Sequence, residues 1–163
     1  MNKWILILLC SIGLTGYTQE QTKLTGKTMF NSGFYHFGSY GKERPSIGVE
    51  QLFNCHLNQK WAIGMGFGFT VYPAAFTLPI SAHVQKYFKL KEKISFVQVG
   101  VGQNLRVGEN TFSSFRQTTS FGMLLSMKKF SFVPELGYSL LLDKWGGGNL
   151  SFTAALGLQY KLF

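Results

Sequence analysis

The chain is poor in the features that hold small exported domains together. It has two cysteines in 163 residues, Cys10 and Cys55. Cys10 lies in a leader-like segment, so the remainder has one thiol and no intramolecular disulfide. Stability must come from a core or from a membrane. No helix-length apolar run follows the first 18 residues, which excludes a spanning helix. Acids are scarce too, 7 against 16 lysines and arginines, for a formal charge of +9. Metal-ligand patterns are missing: His36, His56 and His83 show no H-x-x-x-H spacing, and no second cysteine supports a site. The glycine-rich stretches lack the lysine and helix of a phosphate loop.

What is present begins with Met1–Lys3, the apolar run Trp4–Leu14 and a polar turn, the shape of a secretory signal peptide. Small residues Gly16 and Thr18 place cleavage near Thr18–Gln19, so residues 1–18 are expected to be leader and 19–163 one domain of about 145 residues. A lipoprotein would need a small residue before Cys10, where Leu9 stands. Export argues against nucleic acid as the partner of the basic surface. Anionic lipid or lipopolysaccharide phosphate fits the compartment.

The segment Trp61–Tyr72, "WAIGMGFGFTVY", alternates large apolar residues with glycine and other small ones and contains no charge. A period of two means a strand. A soluble half-buried strand would carry Ser, Thr, Lys or Glu on its second face. Bare glycine suggests instead a lipid-facing strand whose other face lines a narrow barrel. Seven further segments alternate in the same way: 28–40, 46–57, 77–88, 94–105, 117–127, 130–140 and 150–163. At roughly 10–13 residues they match tilted membrane strands and exceed the soluble average of about five or six. Their links alternate between short lysine-rich turns ("NQK", "KLKEK", "KK") and longer ones, two of them glycine-rich, with the short "PAAF" link between the third and fourth as the exception, the outer-membrane pattern. Trp61, Phe88, Phe130 and Tyr160 fall near strand ends, where aromatic girdles sit. The expected fold is an all-β, eight-stranded, antiparallel, transmembrane up-and-down barrel. A soluble sandwich or lipocalin-like barrel is the competing fold.

The segments "KWAIGMGFGF", "TLPISAHVQKYFKLKEKISFVQVGVG", "FVPELGYSL" and "LGLQYKLF" resemble the small outer-membrane β-barrel proteins of Bacteroidetes-like bacteria, over most of residues 46–163. The resemblance implies an outer-membrane location in a Gram-negative cell and insertion by the barrel-assembly machinery. That machinery reads a C-terminal aromatic residue; Phe163 is terminal but one step out of the outward phase Leu158, Tyr160, Leu162.

Two acids, Glu50 and Glu135, lie inside strands and point inward, so they need partners; His83, Gln98, Lys86 and Lys161 are the candidates. Glu135, His83 and Ser81 would suit a lipid-modifying hydrolase, although such a site would open on the outer face. The simpler reading is a polar plug, with no catalytic, cofactor or metal site. Lys42, Arg44, Arg106, Arg116 and the 145–149 loop are candidates to touch lipopolysaccharide phosphates. The expected role is structural or surface-interacting, by a monomer without a wide pore. The alternatives are a membrane-embedded lipid-modifying enzyme and a narrow channel or carrier for a small apolar molecule.

Overall fold

A computed structural model describes residues 23–36, 43–72, 75–107, 113–127, 129–142 and 148–162. The expected leader, Phe163 and most of each longer link lie outside them. Eight strands follow one another: β1 (Lys23–His36), β2 (Glu43–His56), β3 (Trp61–Tyr72), β4 (Ala75–Leu90), β5 (Lys93–Val107), β6 (Ser113–Ser126), β7 (Phe130–Leu142) and β8 (Gly148–Lys161). Each pairs with its sequence neighbours, and β1 pairs antiparallel with β8 to close the barrel.

The pairing fixes the barrel's dimensions. From Thr25, successive partners are Asn54, Gly64, His83, Gly100, Thr118, Ser139 and Ser151, and the circuit returns to β1 at Tyr35, ten residues further on. With a rise of about 3.3 Å and strands about 4.8 Å apart, a stagger of ten over eight strands gives a tilt of about 41° and a radius of about 8 Å. The outward run Trp61 to Val71 then stands about 25 Å tall along the axis, the height of an outer-membrane apolar band.

The two faces are sorted inversely to a soluble protein. Outward side chains such as Ile47 (69% exposed), Met65 (66%) and Phe152 (68%) meet the surroundings, while Lys27, Asn54, Gln85 and Ser151 are wholly buried. That arrangement overturns the lipocalin-like alternative, whose apolar face would line the inside. The buried apolar cluster is small, Ala62, Tyr87, Phe96 and Val133 with Leu124 against it. Leu124 keeps the inward phase of Gly122 and packs at the short-turn end.

The bare face of β3 has a steric cause. A Cβ on Gly64 would lie 2.5 Å from Asn54 Oδ1 and from His83 Nε2, and one on Gly68 would run into the backbone of Val49 and Glu50. Neighbouring strands send large polar side chains across β3, and glycine leaves them room.

Local signals set the turns. Asn58 Oδ1 accepts from the amides of Lys60 (2.8 Å) and Trp61 (2.9 Å) to close β2–β3. The β4–β5 connection is only Lys91 and Glu92, with Lys91 at φ 57°. Residues expected in a "KLKEK" turn thus extend both strands, and this hairpin projects beyond Trp61, whose partner on β4 is Lys86. The first strand starts five residues earlier than its aromatic stretch suggests, because pairing to β2 runs back to Lys23 opposite His56. At the seam, Tyr160 covers Gly26 on the outer face. Gln51 Nε2 donates to its hydroxyl (3.1 Å), and Thr28 Oγ1 donates to Gln51 Oε1 (2.6 Å), a chain across β2, β1 and β8.

Candidate functional site

The inward phase of the strands collects polar side chains in the barrel's middle. Lys27 projects from β1 with no exposed surface; its Nζ donates to Glu135 Oε2 of β7 (2.9 Å) and Gln98 Oε1 of β5 (3.4 Å), and sits 4.6 Å from the centre of the Phe96 ring. Ser120 Oγ donates to the other Glu135 oxygen (2.5 Å). Gln98 Oε1 also accepts from Gln85 Nε2 (2.5 Å), whose own Oε1 accepts from Tyr87 OH (2.5 Å). A second ion pair, Arg116 with Glu50, lies toward the long-link end. A cavity of about 50 Å³ separates the two pairs, lined by Glu50, Arg116, Gln98, Ser120 and Glu135 among others. It has room for only a few waters.

This network is a plug: two cations and two carboxylates cancel in charge, Arg116–Glu50 joins β6 to β2 across the lumen, and Lys27 joins β1 to β7 and, through Gln98, to β5 on the far side. Burying such charges is tolerated only when each is paired and hydrogen-bonded. Below it, His56 stacks on Tyr87 at 5.4 Å between ring centres, Tyr87 lies 5.8 Å from Phe96, and His56 Nε2 bonds Thr25 Oγ1 (3.1 Å).

The sequence-predicted residues are present but not in the predicted pairings. Glu50 and Glu135 do face inward, yet neither takes a forecast partner as its cation. Lys86 faces outward over the Trp61 ring (5.4 Å), and Lys161 is exposed at the barrel's end. The true cations were Lys27, just before the expected start of the first strand, and Arg116, assigned to an external loop. Alternation carried that information: Lys27 is in phase with Met29 and Gly33, and Arg116 with Thr118, Ser120 and Gly122. Two buried acids also require two buried cations.

Glu135, His83 and Ser81 form no relay. His83 Nε2 hydrogen-bonds Asn54 Oδ1 (2.6 Å), Glu135 is held by Lys27 and Ser120, and Ser81 lines the interior cavity rather than the outer face. Among the described residues, no group of three or more His, Cys, Asp or Glu can hold a metal ion. Of the loop-side bases, Arg106 is exposed at the end of β5 and Arg44 belongs to β2, while Lys42 and residues 145–147 lie outside the described residues.

A closed, apolar-sided, polar-cored barrel of eight antiparallel strands is the architecture of small outer-membrane proteins, and the comparisons agree. Neisserial surface protein A (NspA) matches with a TM-score of 0.72 at 10% identity, over 85% of this chain and 97% of that one. Ail, the attachment invasion locus protein of Yersinia pestis, matches with a TM-score of 0.52 at 14% identity, over 88% and 100%. Ail has also been solved with the heparin analogue sucrose octasulfate, and that structure again matches at 0.52. At these identities the likeness is one of fold. No protein-family profile matches the chain, and no curated protein matches it.

Proposed function

We propose that this chain is a monomeric outer-membrane protein of a Gram-negative, Bacteroidetes-like bacterium with a structural or surface-interaction role. One observation carries the reading: the apolar side chains are outside and the lumen is filled by paired charges. Lipid supplies what the outer face lacks, and a lumen blocked by Lys27–Glu135 and Arg116–Glu50 passes no large solute. The barrel is then a scaffold, and the long-link end is what it presents to the outside. Arg106, with Lys42, Arg44 and the 145–149 segment of the sequence, is suited to lipopolysaccharide phosphates. The assembly machinery is the partner during insertion. No enzyme activity is assigned, because the one constellation that invited it is dispersed: Glu135 is held by Lys27 and Ser120, and His83 by Asn54.

The test is an SDS gel of outer-membrane fractions, boiled and unboiled. A boiling-dependent mobility shift in that fraction supports the reading. Protein in the periplasmic extract without a shift refutes it. Planar-bilayer recording of folded protein should stay silent at the conductance of open porins.

A further inference from the structure

The basic charge is concentrated at the end where the expected loops are not. Among the described residues, three lysines occupy the short turns, Lys60, Lys91 and Lys129. Lys23, Lys89 and Lys161 end strands on the inward phase and ring the mouth, while Lys86 and Lys93 take the outward phase. All eight are exposed, and Glu92 is the single acid at this end among the described residues. The outward aromatic residues Trp61, Phe88 and Phe130 stand directly above them, each about 40% exposed. Between the β2–β3 turn and the projecting β4–β5 hairpin opens a cleft of about 1060 Å³. Lys23, Lys60, Lys86 and Lys89 line it together with the outward Phe88 and with Ile94 and Leu124, which face the mouth of the lumen.

We propose that this end is a binding collar for anionic phospholipid, with the phosphate on the lysines and the upper acyl chain against the outward Trp61 and Phe88. The inference rests on the membrane reading above. A soluble anion would need only the mouth lysines. Lys86 and Lys93 point to the side instead, next to residues of the aromatic girdle, where the neighbours are headgroups. Lysine stems lie along apolar surface and carry the ammonium to that level, and clustered lysines at a bilayer surface attract anionic lipid. The collar would hold the barrel's depth and tilt from the short-turn side, independently of anything the loops bind.

The test uses folded Trp145→Phe protein of residues 19–163, without the expected leader and its Trp4, reconstituted in vesicles, leaving Trp61 as the reporter. Quenching is compared between brominated phosphatidylglycerol and brominated phosphatidylcholine at equal mole fraction in vesicles of the same total composition. The anionic lipid should be enriched about threefold around Trp61 at low salt, and less at high salt. Lys60→Gln/Lys89→Gln/Lys93→Gln should bring the ratio close to one, while Arg106→Gln at the other end leaves it unchanged. Equal quenching by the two lipids overturns the collar, as does a preference that survives the lysine variant. Absence of quenching by either lipid places Trp61 outside a bilayer and overturns the membrane reading itself.

Discussion

Replacing Lys27 by methionine tests the plug most directly. The substitution keeps the length of the side chain and its packing on Phe96, and it removes the ammonium. Glu135 loses its cation at 2.9 Å and keeps only the Ser120 hydroxyl, with its side chain 10% exposed. Gln98 loses one of two donors. Breaking a buried pair from one side costs about 3–5 kcal/mol. The lower figure is appropriate here, because Ser120 remains and the adjacent cavity admits water. About 3 kcal/mol is a more than hundredfold change in the folded-to-unfolded ratio. Reversible urea unfolding in vesicles, followed by Trp61 fluorescence, measures it. The double variant Lys27→Met/Glu135→Leu removes both charges and should recover most of the loss, since apolar replacement of a whole buried pair is often neutral. A single variant that costs under about 1 kcal/mol, or a double variant as unstable as the single, would refute the claim that the pair is desolvated and mutually dependent.

Other perturbations probe other parts of the barrel. Gly68→Ala should destabilise by about 1–3 kcal/mol because backbone atoms of Val49 and Glu50 block the new methyl, whereas Ala82→Leu on the outer face should be near neutral by the same unfolding assay. Phe67→Arg, at mid-height of the apolar band, should cost about 2–4 kcal/mol in vesicles; a neutral result there would remove lipid from that face. Lys91→Gly should raise stability by about 0.5–1 kcal/mol, since Lys91 holds a φ of 57° that glycine adopts without strain, and an unchanged urea midpoint would contradict that.

The architecture was legible because its signal is repeated eight times. Alternation needs no knowledge of partners: Ile63, Met65 and Phe67 declare one face, and Gly64, Gly66 and Gly68 the other. Trp61, Phe88, Phe130 and Tyr160 do fall at one end of the barrel, the end that the antiparallel order gives to the short turns. What alternation cannot supply is who meets whom across the lumen. Glu135 is 108 residues from Lys27 and Glu50 is 66 from Arg116, so the pairs depend on the register of every intervening strand. Strand ends were hidden for a related reason. Lys27 falls one residue before the expected first strand, which opens on the aromatic stretch from Thr28, and lysine is rarely buried unless paired; Arg116 adjoins the "TFSSF" of the expected loop. The basic end was visible as lysine-rich turns, but its cleft arises from the projection of the β4–β5 hairpin, which only the pairing reveals.

The Tyr160–Gly26 contact at the seam bears on how a barrel proofreads its own closure. A strand that slips by one residue turns its greasy face inward and is rejected at once. A slip of two residues preserves every inside and outside assignment, so alternation cannot detect it; the barrel would simply close with a stagger of eight or twelve instead of ten. The seam joins Thr25 to Lys161 and is the pairing most remote in the chain, hence the one most open to that error. Tyr160 resolves the ambiguity. Only in the native register does its ring lie over the one residue of the outer face of β1 that has no side chain, with its hydroxyl in reach of Gln51. Shifted by two, it would lie on Thr28 or Leu24. The latch thus acts as a vernier mark, distinguishing the native closure from its even-numbered near misses.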